Sequence, residues 1–399
     1  MESTNVCEKS TARPCRDAGG SRLVDYSDAR QSPVRQRMAS TRDESNGVTI
    51  LFSISEDQQI AGDCFQHWLN ATSNSEFRLG GLAGTGKTTL VKAFDSLLDG
   101  DAEVFAPTAR AAVVLKSKGV NAKTLASLLL RFEYEKEDEQ GKLVPVFSDK
   151  RVSREIIIVD EASMVSSEMY AKVRRCANRV VWIGDYGQLP PVESGVVGKS
   201  VVSEELLDAK LTMQHRHIGC EDIIDFANHL RAGLDPADWK KVSNQVLFDP
   251  PGVEGTNLVS YLLSEKLWPV ICYTNDFRRR LNAAIRQAKG FPAHGACKGL
   301  MIVCAKNNYS TGIANGELFT VESAKGSEVK TACGRSFDVT FDPKGSGVVV
   351  EDGYAITCHK AQGSEFDRVA VIEDMIALPS WRYTAATRAK NKVVYFKSE

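Results

Sequence analysis

Short apolar runs alternate with amphipathic helical segments along the chain from about residue 49 onward. The uninterrupted apolar runs at residues 156–159 and 180–183 predict strands that are buried on both faces. Strands that alternate with helices predict parallel sheets covered by helices, which is an α/β fold. Polar residues follow these predicted strands at their carboxyl ends, the edge where open α/β sheets bind ligands.

The first 46 or so residues lack this pattern. They are rich in Ser, Arg, Asp and Gly and nearly free of large apolar residues, which predicts a disordered tail over residues 1–47. The folded pattern begins near Val48, so Met38 is a candidate for the true start of the protein.

Length and composition set broad limits. A chain of 399 residues is long enough for two or three domains, and 43% hydrophobic and 25% charged residues are typical of a globular protein. The net charge of −1 means that any nucleic-acid contact depends on locally placed Lys and Arg. The ten cysteines form no CxxC pair, which argues against a zinc ribbon.

No apolar run suits a membrane span or a secretion signal. We therefore expect a cytoplasmic protein, prokaryotic or phage-encoded, that is not secreted and has no membrane partner.

The most specific motif is the phosphate-binding loop at residues 81–88. A predicted strand at residues 76–79 leads into it, and a predicted helix from Lys87 to about residue 98 follows. Its glycines allow backbone N–H groups to point at phosphates, while Lys87 reaches the β- and γ-phosphates and the Thr88 hydroxyl coordinates Mg²⁺. The motif predicts a nucleoside triphosphate and Mg²⁺ as cofactors. The predicted nucleotide contacts here are Gly81, Ala83, Gly84, Thr85, Gly86, Lys87, Thr88 and Thr89.

A pair of carboxylates follows the predicted strand at residues 156–159. Asp160 would hold Mg²⁺ through its water shell, and Glu161 is placed to orient and deprotonate the water that attacks the γ-phosphate. The alternative is that the two acids cap a helix N-terminus. The phosphate loop earlier in the chain favours the catalytic interpretation.

The strand predicted at residues 180–183 ends in a Gly-Asp turn followed by Gln188 and two prolines. Gln188 can hydrogen-bond the γ-phosphate or the attacking water. The prolines stiffen the chain beyond it, so that a movement of Gln188 is transmitted to the following residues and is not absorbed by the turn. A proline-rich surface turn is the alternative.

Together with these motifs, several further segments resemble those of superfamily 1 helicases of the 1B branch, most similar to the phage Dda and RecD-like enzymes. They occur in the family order over nearly the whole length of the chain, and this ordered set is more specific than any one segment. The segments are residues 54–58, 106–112, 124–127, 211–216, 352–367 and 383–390.

The resemblance implies two RecA-like motor domains, at residues 48–200 and 201–399, with ATP in the cleft between them. It also implies that Gln58 recognises adenine and that Arg216 and Arg388 reach the γ-phosphate. A guanidinium is always charged and grips phosphate oxygens in a fork, so both arginines suit this role. A surface salt bridge is the alternative for each.

The resemblance further implies contacts with a single strand of nucleic acid. Thr108, Thr124 and Ser127 belong to the contacts of the first domain, and Thr357 and His359 to those of the second. Each is equally suited to be a helix cap or a satisfied polar group of the core. Close relatives often carry a histidine at position 126, where this chain has alanine, which weakens one contact.

Two insertions are expected. Residues 131–155 predict a β-hairpin, which in this family acts as a wedge at the fork, and Phe132, Tyr134 and Phe147 are candidate stacking residues or simply fasten the hairpin to its domain. Residues 298–350 have short apolar strands separated by Gly, Asn, Ser and Lys turns, which predicts a small β-barrel. The resemblance implies that this barrel is SH3-like and reduced.

The expected function is therefore an ATP-dependent DNA helicase that moves 5′ to 3′ on single-stranded DNA and unwinds duplexes. The expected DNA partners are single strands and forked or tailed duplexes, with single-strand-binding protein and replication proteins as candidate protein partners, and we expect a monomer. Three alternatives stay open: a viral-type RNA helicase, a RecD-like subunit of a nuclease complex, and a nucleotide-dependent DNA-binding switch that does not unwind. Replication, recombination and repair all use such motors.

Overall fold

The computed structural model describes residues 40–42, 49–51, 55–71, 73–137, 143–150, 152–193, 196–215, 221–241, 243–253, 256–308 and 310–397. The predicted disordered tail and Met38 lie outside these ranges except at Ser40–Arg42. That segment is strand β1 and pairs antiparallel with β2 (Thr49–Leu51), so the tail prediction is wrong for these three residues.

The first domain is built on a six-stranded sheet in the order β12-β3-β9-β8-β4-β5, in which every neighbouring pair is parallel. Its elements after β2 are α1 (Glu56–Asn70), β3 (Glu76–Gly81), α2 (Lys87–Leu97), β4 (Ala102–Ala106), α3 (Ala109–Ser117), β5 (Ala122–Thr124), α4 (Leu125–Leu129), β6 (Leu130–Glu137), β7 (Leu143–Asp149), β8 (Arg154–Val159), α5 (Ser167–Cys176), β9 (Ala177–Gly184), β10 (Val192–Glu193), β11 (Val196–Val197) and β12 (Ala209–Leu211).

Helices cover both faces of this sheet, which explains why its central strands are continuously apolar. In β8, Ile156 and Ile158 pack with α1, α2 and α3 on one face, whereas Ile157 and Val159 pack with α4 and α5 on the other. Side chains alternate along a strand, so burial on both faces requires an apolar residue at every position.

Strands β6 and β7 form an antiparallel pair between α4 and β8. The chain that joins them lies outside the described residues, as do the side chains of the predicted stacking residues Phe132 and Tyr134. The third candidate, Phe147, is 37% exposed.

The second domain has a five-stranded parallel sheet in the order β13-β22-β21-β14-β20 and a closed five-stranded barrel, β15 to β19. Its elements are α6 (Glu221–Arg231), β13 (Val246–Phe248), α7 (Thr256–Glu265), β14 (Val270–Cys272), α8 (Asn275–Ala288), β15 (Met301–Cys304), β16 (Leu318–Lys325), β17 (Glu328–Thr331), β18 (Ser336–Thr340), β19 (Val348–Asp352), β20 (Ala355–Thr357), α9 (Cys358–Ala361), β21 (Phe366–Glu373), α10 (Pro379–Ala386) and β22 (Ala389–Lys397).

The boundary predicted after residue 200 falls too early. Strand β12 lies beyond it in sequence but pairs with β3 at the edge of the first sheet, with Ala209 opposite Leu79 and Leu211 opposite Gly81. The first sheet therefore ends at Leu211, because the chain adds one more parallel strand before it crosses to the second domain.

None of the helices in the described ranges has the length and apolar composition that crossing a bilayer requires.

Candidate nucleotide site between the two domains

The phosphate loop connects the end of β3 to the start of α2, as the motif predicts. Gly84 and Gly86 have φ angles of 80° and 83°, which glycine adopts without strain. A Cβ at Gly86 would lie 2.2 Å from Nε2 of Gln58, so this position also requires glycine for space. The N-terminus of α2 follows directly. The N–H of Thr89 donates to the Gly86 carbonyl at 2.9 Å, whereas the N–H groups before it have no acceptor one turn earlier in the helix.

Lys87 is the first residue of α2, and its ammonium group is held at the loop. Its Nζ donates to the backbone carbonyls of Gly81 and Leu82 at 2.8 and 2.9 Å, and it lies 3.8 Å from Oδ2 of Asp185. The Thr85 hydroxyl donates to the Leu82 carbonyl at 2.8 Å, so it stabilises the turn of the loop. Gly81 and Thr85 are both buried under the loop surface.

The two acids that follow β8 have different environments. Asp160 is buried, and this burial, together with the charge of Glu161, raises its pKa to about 7. Glu161 has a φ of 54°, a strained conformation for a residue with a side chain. Its Oε2 is buried and finds no hydrogen-bond partner among the described residues. A cation held beside Asp160 would favour the charged form of its carboxylate.

Glycine at position 184, the last residue of β9, allows the next loop to approach the carboxylates. A Cβ there would lie 3.0 Å from the backbone N of Ser163 and 2.8 Å from Cγ2 of Val202. Asp185 follows and is fully buried. Its carboxylate accepts hydrogen bonds from the Gly187 N–H at 2.9 Å and from Nε2 of Gln188 at 3.3 Å. Asp185 therefore links Lys87 to Gln188, whose Oε1 is buried and lacks a partner within the described ranges.

Arg388 of the second domain follows α10 and is buried, with 5% of its surface exposed. Its guanidinium donates to the carbonyls of Thr384 and Ser364 at 3.0 and 3.1 Å and to the Thr387 hydroxyl at 3.1 Å. All of these partners belong to its own domain. The side chain nonetheless lines the cavity that the phosphate loop also lines.

A chain of contacts surrounds Gln58, the predicted adenine-recognising residue. Its Nε2 donates to the carbonyl of Thr85 in the phosphate loop at 3.2 Å. Next to it, the Asp57 carboxylate accepts from the backbone N–H groups of Thr212 and Met213, both at 2.7 Å. The N–H of His215 donates to the Gly84 carbonyl at 2.8 Å. The predicted Arg216 follows at once in sequence but lies outside the described residues.

One cavity of about 770 Å³ brings most of the predicted nucleotide contacts together. Gly81 and Thr85 do not line it. The predicted residues that do are Gln58, Ala83, Gly84, Gly86, Lys87, Thr88, Thr89, Asp160, Glu161, Gln188 and Arg388.

These residues fit Mg²⁺ and ATP on two observations. The unpartnered buried oxygens of Glu161 and Gln188 belong to side chains that line the cavity, which suits a bound ligand with its water and metal. The glycine-lined start of α2 gives space and N–H donors to phosphates. Thr88 and Asp160 supply oxygen donors of the type that Mg²⁺ prefers.

The predicted nucleic-acid residues lie at helix starts. Thr108, Thr124 and Thr357 are the N-caps of α3, α4 and α9, and each hydroxyl accepts a backbone N–H of its helix. The Ser127 hydroxyl donates to the Thr124 carbonyl at 2.6 Å, and His359 is exposed. Capping is thus observed for the three threonines, and nucleic-acid contact stays a prediction for all five residues.

Comparison with known proteins agrees with this arrangement. A family model described as an AAA domain matches residues 66–246, and one described as a UvrD-like helicase C-terminal domain matches residues 352–395. The ATP-dependent RecD2 DNA helicase of Deinococcus radiodurans is 29% identical over 350 residues, which cover 79% of this chain and 46% of the relative. These similarities support a RecD-like helicase of superfamily 1B. The chain spans about half the length of this relative.

A second relative is the RecD subunit of the RecBCD enzyme of Mycobacterium tuberculosis, which is 27% identical over 80% of this chain and 66% of its own length. Among solved structures, Bacteroides Pif1 bound to single-stranded DNA matches with a TM-score of 0.55 and 20% identity, over 86% of this chain and 92% of that one. This likeness concerns the fold. It supports a RecA-like fold for the two parallel-sheet domains of this RecD-like chain.

Two residues of the site were not assigned roles from the sequence, Asp185 and Tyr383. The Tyr383 hydroxyl donates to Asp185 at 3.0 Å and accepts the Ala83 N–H at 2.8 Å. The sequence contains one indication for Asp185. An acid in a turn between a buried strand and Gln188 requires a charged or hydrogen-bonding partner. For Tyr383 nothing local indicates a contact with a loop 300 residues earlier.

Proposed function

We propose that this protein is an ATP-dependent DNA helicase that moves 5′ to 3′ on single-stranded DNA. One observation carries the proposal: Lys87, Glu161 and Gln188 of the first domain and Arg388 of the second line a single cavity. A site with charged groups on both walls couples the nucleotide state to the relative position of two bodies, and a motor requires such coupling.

Within this cavity each side chain has a distinct task. Lys87, freed from the carbonyls that it now contacts, binds the β- and γ-phosphates, and Thr88 and Asp160 hold Mg²⁺. Glu161 orients the attacking water and takes its proton, and Gln188 hydrogen-bonds the same water or the γ-phosphate. Arg388, and by resemblance Arg216, stabilise the negative charge that develops on the transferred group. Mg²⁺ neutralises phosphate charge when bound.

The strand would run across the cleft at the helix starts described above. Thr108 lies close to the second domain, since a Cβ at Gly363 would be 3.8 Å from its hydroxyl oxygen. Thr108, Thr124 and Ser127 on one side and Thr357 and His359 on the other would then contact one continuous backbone. Hydroxyl and backbone N–H groups at such positions suit phosphates and tolerate any base.

We assign the β6–β7 pair as the wedge at the fork and the β15–β19 barrel as the SH3-like domain that grips the strand. The barrel touches the first motor domain, because Nη1 of Arg110 donates to the carbonyl of Gly316 at 2.8 Å. A contact between the barrel and α3, the helix that Thr108 caps, supports a role near the strand.

The direct test uses duplexes that carry either a 5′ or a 3′ single-stranded overhang, with ATP and Mg²⁺. We expect unwinding from the 5′ overhang. Unwinding only from the 3′ overhang would contradict the polarity, and absence of unwinding with DNA-stimulated hydrolysis would favour the binding switch. ATP hydrolysis measured with single-stranded DNA and with RNA separates the DNA motor from the RNA helicase.

A further inference from the structure

Tyr383 lies on α10 of the second domain, five residues before Arg388. Its side chain is 1% exposed, and its hydroxyl crosses to the first domain. There it accepts the Ala83 N–H at 2.8 Å and donates to Oδ2 of Asp185 at 3.0 Å. Burial and the charge of Asp185 raise the pKa of Tyr383 well above its usual range, so the hydroxyl stays a donor.

Both partners of this hydroxyl belong to the nucleotide site. Ala83 is part of the phosphate loop and lines the cavity. The Asp185 oxygen that accepts the tyrosine hydrogen bond also accepts from Nε2 of Gln188 at 3.3 Å and lies 3.8 Å from Nζ of Lys87. One hydroxyl of the second domain is thereby joined to the loop, the lysine and the glutamine of the first.

Neighbouring contacts between the two domains hold the Tyr383 side chain in place. The Leu189 N–H donates to the Thr384 hydroxyl at 2.9 Å, and Nε2 of Gln362 donates to the Leu189 carbonyl at 3.2 Å. Leu82 and Leu189 of the first domain pack in the same apolar cluster as Tyr383. Gly187 is required beside the ring, since a Cβ there would lie 3.0 Å from its Cε1.

Arg388, in contrast, makes every one of its observed hydrogen bonds within its own domain. Its distance from the phosphate loop is therefore set by other contacts between the two domains. Tyr383 is the residue of α10 whose polar group reaches that loop, and only a short stretch of chain separates it from Arg388.

We propose that Tyr383 is a positioning residue, whose hydroxyl holds Arg388 in register with the phosphate loop during hydrolysis. This inference rests on the proposed function of Arg388. The hydroxyl does not reach the reacting atoms itself, and it acts through the placement of the arginine.

The test is Tyr383→Phe, which removes the hydroxyl and keeps the ring. Because the hydroxyl accepts the Ala83 N–H and donates to the buried Asp185 carboxylate, we expect kcat for DNA-stimulated ATP hydrolysis to fall about tenfold. KM for ATP should change by less than about threefold. Tyr170→Phe is the control, since the Tyr170 hydroxyl bonds Glu76 within the first domain at 2.8 Å, and its kcat should stay within about twofold of the unsubstituted protein.

The Arg388→Ala background separates positioning from a general structural role. If Tyr383 acts through Arg388, adding Tyr383→Phe to Arg388→Ala should lower kcat by less than about twofold further. Effects that multiply in the double variant would overturn the inference, and so would an unchanged kcat for Tyr383→Phe beside a slow Arg388→Ala. Unchanged hydrolysis in Arg388→Ala alone would instead refute the proposed function of the arginine.

The melting temperature of each variant is measured together with its kinetics. Should Tyr383→Phe unfold at the assay temperature, all variants are compared at a lower temperature at which each is folded. The expected changes in kcat are the same there, and effects that multiply in the double variant would again overturn the inference.

Discussion

The two RecA-like domains differ in how a helix begins after a buried parallel strand. In the first, β3 leads through a glycine loop into α2, whose N-terminus faces the cavity. In the second, β14 leads into α8, and the carboxylate of Asp374 accepts the N–H groups of Tyr273 and Thr274 just before that helix, at 2.6 and 3.1 Å. A helix N-terminus attracts anions. In the second domain a protein acid lies just before the helix, and the Thr274 hydroxyl caps it by accepting the N–H of Phe277.

This difference assigns the two domains complementary tasks. The first keeps an open anion site and places Lys87 and the acids around it. The second places the carboxylate of Asp374 before α8 and contributes a cation, Arg388, to the cavity that the phosphate loop lines. We therefore expect one nucleotide per chain, bound by the first domain and sensed by the second.

The largest expected effect comes from Glu161→Gln in the first domain. Loss of the general base should reduce ATP hydrolysis by about 10³-fold, while the affinity for ATP stays nearly unchanged, because the amide has the same shape. Hydrolysis assays with a fluorescent nucleotide titration check both quantities. Glu155→Gln, at an exposed position of β8, the strand that leads to Glu161, is the control. Normal turnover in Glu161→Gln would remove this residue from its role.

A smaller loss is expected for Gln188→Ala. Its side chain contacts Asp185 and has an unpartnered buried oxygen, so it contributes a hydrogen bond that forms with the ligand. Hydrolysis should fall by about 10- to 100-fold in kcat, with a lesser effect on ATP affinity. An effect on affinity alone would show that Gln188 binds ground state and transition state equally.

The smallest effect on activity is expected for Asp374→Ala in the second domain. It removes the acceptor of the N–H groups before α8 and should lower the free energy of unfolding by about 1–3 kcal/mol, seen as a lower Tm. Asp367→Ala, which removes an exposed acid, is the control and should change stability by less than about 0.5 kcal/mol. Calorimetric titration should still give one ATP per chain. A second bound nucleotide would contradict the expectation that only the first domain binds one.

The first wall of the cleft was predictable because its chemistry is contiguous in sequence. A strand, a loop and a helix start together form the phosphate site, and Asp160 and Glu161 directly follow an apolar run. Local pattern is sufficient for such features, since the strand places them at the carboxyl edge by itself.

The contacts that join the two walls were not predictable. Tyr383 and Ala83 are 300 residues apart, and their hydrogen bond depends on how two domains pack. The same limitation displaced the domain boundary, because the three residues of β12 are too short a strand to be assigned to a sheet without their pairing with β3. Side-chain roles such as the capping by Thr108 also need the backbone geometry of the helix start.

The most direct test of the account is the rate of ATP hydrolysis by Arg388→Ala at saturating single-stranded DNA, with ATP affinity measured in parallel. We expect the rate to fall by about 10³-fold while the affinity changes by less than about tenfold, because the arginine acts on charge that develops in the transition state. Arg368→Ala, an arginine of the second domain that does not line the cavity, should hydrolyse ATP normally. An unchanged rate in Arg388→Ala would contradict a site shared between the two domains.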